Sequence, residues 1–126
     1  MDASFEGDAM KTIVVGRDFS ENPCGVHSED GPFSAENFRK NVLIPVLKSE
    51  DAVTVDLSGV LGYSASFLQE VFGGLVRDGI FSSRQEMDSR LKVIASDKIL
   101  RVFVYCVERY IDEAWKLVDR SPASRV

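Results

Sequence analysis

The sequence predicts an α/β domain, a small mixed or partly parallel sheet packed against helices. Three observations carry that reading. Short β-branched runs at 12–16, 53–57 and 91–95 alternate with segments of helical period, and strand–helix alternation marks a layered sheet joined by crossover helices. The chain has 126 residues, the size of one domain and enough to bury roughly two thirds of its unfolded surface. Its composition, 44% hydrophobic and 28% charged, is that of an ordinary globular protein, so no staple is required.

In chain order, residues 1–10 are polar and aperiodic, and are expected to be a flexible arm ahead of a domain spanning 11–118. The run 12–16 (TIVVG) is the first strand. From 17 to 32 the chain turns to Ser, Glu, Asn, Pro, Gly and Asp, the composition of a loop or irregular hairpin, with Gly25, Gly31 and Pro32 at the turns. Ser34 reads as an N-cap with Glu36 in the first turn, and Phe38, Val42 and Leu43 supply the buried stripe. Pro45 cannot donate to Asn41 and disfavours a helical Ile44, so the helix should kink or restart there. After a polar connection at 48–51, Val53, Val55 and Leu57 alternate with Thr54 and Asp56 as a buried strand.

Ser58-Gly59 ends that strand, and residues 63–66 lead into a helix with Leu68, Val71, Phe72, Leu75 and Val76 at helical spacing. Ser66 followed by Gln69 matches a capping box, and Gly79 is placed to close the helix at C′. Gly73-Gly74 lies inside the helix and lacks the lysine of a phosphate loop, so it reads as room for a close approach of helix and sheet. Residues 82–90 read as a loop or one loose helical turn. A third strand at 91–95 follows. Ser96 and Asp97 then compete for the N-cap of a long helix reaching about Val118, with 119–126 as a frayed tail.

That last helix carries two apolar stripes. One is Ile99, Val102, Phe103, Cys106, Tyr110, Ala114 and Leu117; the other is Leu100, Val104, Val107, Ile111, Trp115 and Val118. The apolar face is wider than one contact with a sheet requires. Either its N-terminal half is buried on two sides, or the helix meets another chain, for example in a homodimer. Right-handed crossovers would put both inner helices on one side of the sheet.

Charge and motif content narrow the function. A net charge of −5 and a pI near 4.9 give no global attraction to nucleic acid or anionic membrane. Two cysteines make no disulfide scaffold. The acidic N-terminus is no signal peptide, and no apolar run reaches the ~18 residues of a span. The expected compartment is therefore cytoplasmic. Cys24 and His27 make half a zinc site, and with His27 the one histidine, classical Ser-His-Asp and Cys-His chemistry is not expected unless Cys24 or Cys106 uses it. No metal, cofactor or catalytic residue is expected; Asp56, Glu70 and Arg39 are the only convergent groups and lack a nucleophile. Asp56 could ligate a cation or pair with Arg39 as a structural ion pair, since an unpaired buried carboxylate is too costly to stay charged. The Arg39 fork could turn inward to Asp56 or Glu70, or outward to a partner.

A resemblance sharpens this. GPFSAENFRKNVLIPVL followed by DLSGVLGYSASFLQEVFGGLVRDG is similar to the STAS-like domain family of unknown function, related to the STAS domains of anti-sigma factor antagonists. The matching residues are Ser34, Glu36, Phe38 and Arg39, then Ser66, Phe67, Leu68, Glu70, Phe72 and Gly73. The resemblance covers roughly 11–114 and implies a STAS-like α/β fold. A typical STAS domain continues with a further strand and helix, so this sheet should be smaller, or completed at its edge by residues 17–33.

In antagonists of that kind the turn after the central strand carries Asp-Ser-Ser, and its first serine is phosphorylated. Counted without gaps from Asp56, the Asp falls on Ser64, the acceptor on Ala65 and the next Ser on Ser66. The acceptor is absent, which leaves Ser64 and Ser66 as candidate phosphoacceptors or plain helix caps. The expected function is a non-enzymatic regulatory module that docks a protein through residues 63–77, with Tyr63, Phe67, Leu68 and Glu70 as contact candidates. The resemblance implies an ATPase-type kinase or anti-sigma-like regulator as partner. The alternative is a small-ligand or nucleotide sensor using the helix N-terminus at Ser66.

Overall fold

The computed structural model describes residues 10–120; the arm at 1–9 and the tail at 121–126 lie outside the described residues. Three strands, β1 (Met10–Val14), β2 (Ala52–Asp56) and β3 (Leu91–Ile94), lie in the order β1-β2-β3, and both pairings are parallel. The register aligns Ile13 with Val55 and Val55 with Val93. Val53 aligns with Lys11 and Leu91 in the neighbouring row. These two rows face the core, where Ile13, Val53, Val55 and Leu91 are buried. The alternate rows are Thr12, Thr54 and Lys92, then Val14, Asp56 and Ile94.

β1 ends two residues sooner than its β-branched run predicts. The Val14 N–H donates to the Asp18 carboxylate at 2.8 Å, and Val15–Asp18 closes into one helical turn. Gly16 is then pressed against the Gly59 backbone, where a Cβ would stand 2.2 Å from the Gly59 carbonyl oxygen. Residues 17–33 supply no strand. Their backbone is tied to the next helix instead: Ala35 N–H donates to Gly25, and Glu36 N–H to Val26. The sheet is thus small, and residues 17–33 do not complete its edge.

Helix α1 runs over 35–49 as Ala35–Asn37, a π-helical Phe38–Leu43 and Ile44–Ser49. Ser34 caps it by accepting from Asn37 N–H at 3.2 Å. Against the expectation at Pro45, Ile44 stays helical and the helix runs on to Ser49, passing the proline by way of the π turn. Ile44 N–H reaches back five residues to the Arg39 carbonyl, and the wider turn accommodates the missing proline donor. Helix α2 runs over 65–77, again with a π-helical centre at Gln69–Gly73. It closes at Gly79, whose φ of +72° suits glycine at C′.

The stretch expected as a loop or loose turn is a helix, α3 (Arg84–Arg90). Local pairs explain it. Ser83 caps Glu86 N–H, Arg84 meets Asp88 and Arg90 meets Glu86 at i,i+4, and Met87 is buried. A 3-10 turn at Lys98–Leu100, capped by Asp97, leads into α4 (Arg101–Arg120).

One hydrophobic cluster joins the layers. Ile13, Val53 and Val55 from the sheet meet Phe38, Leu43 and Leu47 of α1, Leu68, Val71, Phe72 and Leu75 of α2, Met87 of α3 and Val107 of α4. On α4 the second stripe goes deepest, with Val107, Ile111 and the preceding Leu100 buried. Ile99, Val102 and Leu117 of the first stripe stay exposed, as does Tyr105.

Candidate functional site at the carboxyl end of the central strand

The segment between β2 and α2 emerges where the parallel strands end, the usual location of working surfaces in such sheets. Asp56, the last residue of β2, is buried and holds the junction together. Its Oδ1 accepts from Ser58 N–H at 3.0 Å and Ser96 N–H at 3.1 Å, and its Oδ2 accepts from the Ser96 hydroxyl. Burial pushes the carboxyl up, but these hydrogen bonds from Ser96 and Ser58 outweigh it, and its pKa lies below the usual range. The expected pair with Arg39 does not form. Asp56 instead binds the start of the β2–α2 turn to the end of β3, and Ser58 Oγ repeats the tie by accepting from Asp97 N–H at 2.9 Å.

Tyr63 is half-buried beneath the turn. Its hydroxyl donates to the Leu57 carbonyl at 2.6 Å, and its ring contacts Phe67 and Phe103. Burial raises its pKa, and the charge on Asp56 adds to the rise. Ser64 is the N-cap of α2, accepting from Phe67 N–H at 3.1 Å. Ser66, expected to form a capping box with Gln69, lies one position inside the helix and is exposed. The earlier start follows from burial: with Ala65 first, Phe67, Leu68 and Val71 all face the core.

That burial corrects two contact candidates. Phe67 is 3% exposed and Leu68 1%, and Phe67 stacks between Phe38 and Tyr63. Neither can meet a partner. Glu70 is occupied as well, with Oε2 at 2.7 Å from Arg39 and Oε1 at 3.1 Å from Arg77. Arg39 therefore points inward, to Glu70 rather than Asp56. Its Nη1 also donates to the Glu70 carbonyl, and its Nε to Asp78 at 3.0 Å. The guanidinium lies against Gly74, where a Cβ would stand 2.2 Å from Nη1. The close approach expected between helix and sheet at Gly73-Gly74 is therefore corrected: at Gly74 the neighbour is the Arg39 side chain of α1.

The sequence does not single out Asp78, and it marks Ser58 only as a strand end and Ser96 only as a candidate helix cap. The Asp56 and Arg39 networks join residues about 40 apart in the chain, and no local pattern encodes such a meeting. Cys24 is exposed, and no group of three or more His, Cys, Asp or Glu side chains among the described residues could hold a metal ion. No described helix is long and apolar enough to cross a membrane.

Around this junction the surface is apolar in places. Leu61 is 94% exposed and Ile99 82%, with Val102 also out. Leu61 and Asp97 line one shallow cavity of about 470 Å³ with Gly59, Val60, Glu21 and Asn22, and Gly62 lies beside Phe103. The exposed Ser64, Ala65 and Ser66 flank the same turn.

A one-domain α/β fold, with a three-stranded parallel sheet feeding a Ser-capped helix from its central strand, is the architecture of a STAS-like domain. The chain belongs to the family described as STAS-like domain of unknown function (DUF4325), whose model matches residues 34–100. That span includes both motifs, the β2–α2 turn and the Arg39 network, and stops where α4 begins. No curated protein and no solved structure matches the chain.

Proposed function

We propose that this domain is a non-enzymatic regulatory module of the cytoplasm that docks a protein partner at the carboxyl end of its sheet. The observation that carries the reading is the exposed apolar group Leu61, Ile99 and Val102 beside a turn that is itself rigidly tied down. Large apolar side chains held out on a fixed frame have a low ordering cost on binding, which favours recognition of another protein. The ionisable groups here are used in structure: Asp56 holds the turn, and Glu70 and Asp78 hold Arg39. That favours docking over catalysis.

The docking face moves from Phe67 and Leu68 to Leu61, Ile99 and Val102, with Ser64 and Ser66 at its margin. Ser66 is the better candidate phosphoacceptor, because Ser64 is committed to the cap. A phosphate there would add about −2 charge at the rim of the face and change which partner it accepts. The partner class remains that implied by the family resemblance, an ATPase-type kinase or anti-sigma-like regulator.

The test is photo-crosslinking in the host cell from a benzoylphenylalanine placed at Leu61 or Val102, with Lys48 as control. Covalent adducts with the same protein from both positions, and none from Lys48, support the reading. Adducts from Lys48 alone would end it. Calorimetry with a nucleotide panel addresses the sensor alternative, for which heat lost on substituting Ser66 would be the positive result.

A further inference from the structure

The outer edge of β3 carries a pattern of unused hydrogen-bonding groups that a second copy of the same edge can satisfy. The Ile94 carbonyl accepts from Leu57 N–H on the β2 side. Since backbone groups alternate in direction along a strand, Lys92 and Ile94 face β2 while Leu91, Val93 and Ala95 face outward. Two of the six outward groups are taken: Leu91 N–H donates to Met87, and the Ala95 carbonyl accepts from Arg101 Nε at 3.4 Å. The other four are the Leu91 carbonyl, both groups of Val93 and the Ala95 N–H. They have no partner among the described residues.

This set is self-complementary. In an antiparallel pairing with a two-fold axis at Val93, each Val93 exchanges both bonds with Val93 of the second copy. Each Ala95 N–H donates to the second copy's Leu91 carbonyl. Four bonds form and no outward group is left over, because the two groups already used are those that would have faced each other. A parallel strand from another protein would also satisfy these four groups, so the charges beside the edge decide in favour of a second copy.

The charges follow the same axis. Beside β3 the surface is a groove formed by two adjoining cavities, of about 470 and 320 Å³, that share Val93 and Ile94. Arg101 lines the end near Ala95 and Ser96, and Glu108 the end near Leu91. Both are exposed, and neither forms an ion pair among the described residues. They are two helical turns apart on α4, with Val104 and Tyr105 between them next to Val93. A two-fold axis at Val93 brings Arg101 of one copy toward Glu108 of the other, and sets the exposed Tyr105 rings at the centre of the contact. This stripe of α4 is separate from the Ile99 and Val102 stripe, so the inference stands independently of the docking face proposed above.

We propose that β3 is the seam of a homodimer, in which two copies join their edges into one six-stranded sheet flanked by Arg101–Glu108 pairs. The test uses the full chain in multi-angle light scattering and sedimentation, read across concentration. A mass of twice 14.0 kDa is expected, with exchange of the Val93 and Ala95 amides slowing as the dimer forms. Arg101→Glu should weaken self-association on the order of tenfold, since it sets like charges together at both ends of the seam. Arg101→Glu combined with Glu108→Arg should restore it. Both sites are exposed on α4 and Arg101 gives up only a long bond to the Ala95 carbonyl, so circular dichroism should be unchanged, with melting compared at concentrations where both proteins are monomeric. A monomer at every concentration overturns the proposal and leaves the edge to some other strand. A dimer indifferent to Arg101→Glu, or one without protection at Val93, overturns it equally.

Discussion

Replacing Gly74 with alanine inside α2 should destabilise this protein, against the usual sign. Alanine in a helix interior gains about 1 kcal/mol over glycine. Here the new methyl would stand 2.2 Å from Arg39 Nη1, 2.6 Å from Cζ and 2.8 Å from Cδ. The guanidinium would have to leave a pocket in which it is 6% exposed and held by Glu70 and Asp78. Hydrogen bonds to charged groups contribute about 1.5–3 kcal/mol each. The Asp78 carboxylate is one-third exposed and Glu70 keeps Arg77, so a total loss of about 3 kcal/mol is the reasonable scale.

Subtracting the propensity gain leaves a net destabilisation of about 2 kcal/mol, a fall of about 5–10 °C in Tm for a domain this size. Thermal and urea unfolding of Gly74→Ala measure it. In an Arg39→Met background the obstacle is gone, and the same substitution should become neutral or stabilising. A stabilising Gly74→Ala in the unaltered protein would refute the role given to Arg39.

Phe67→Ala and Phe72→Ala should both cost about 3–5 kcal/mol, since both rings are buried; a small loss at Phe67 in urea melts would contradict its place in the core. Ser64→Ala should cost about 1 kcal/mol and Ser66→Ala little, because only Ser64 caps α2. Asp56→Asn should lower stability at neutral pH and flatten its acid dependence. The folded-state pKa of Asp56 is lowered, so its contribution is present above the unfolded value of about 4 and is lost as pH falls through the folded value. Melts of the two proteins should therefore converge on acidification, and a constant gap would count against that assignment.

The elements most legible in the sequence were those with local causes. Val53, Val55 and Leu57 announced the central strand by alternation, and Ser34 and Gly79 announced helix ends by capping chemistry. The 84–90 helix escaped because its support lies in i,i+4 ion pairs and one buried Met87, within a run of otherwise polar residues. The Ser66–Gln69 spacing favours Ser66 as cap; in the structure Ser64 takes that place, with Phe67 and Leu68 in the core. Those same two side chains read as available because helical spacing cannot say which of two adjacent apolar stripes meets the sheet. Asp56 and Arg39 were recognised as structural candidates, but their partners lie across the fold, beyond any spacing rule.

Docking at the carboxyl end of the sheet makes a direct prediction about which amides a partner perturbs. Titrating the crosslinked partner into isotope-labelled protein and mapping amide shifts tests it directly. Perturbations concentrated at residues 58–66 and 97–103, with the amides around Arg39, Glu70 and Asp78 silent, are the predicted result. Shifts centred on α1 and the far end of α2, with residues 58–66 unmoved, would contradict it.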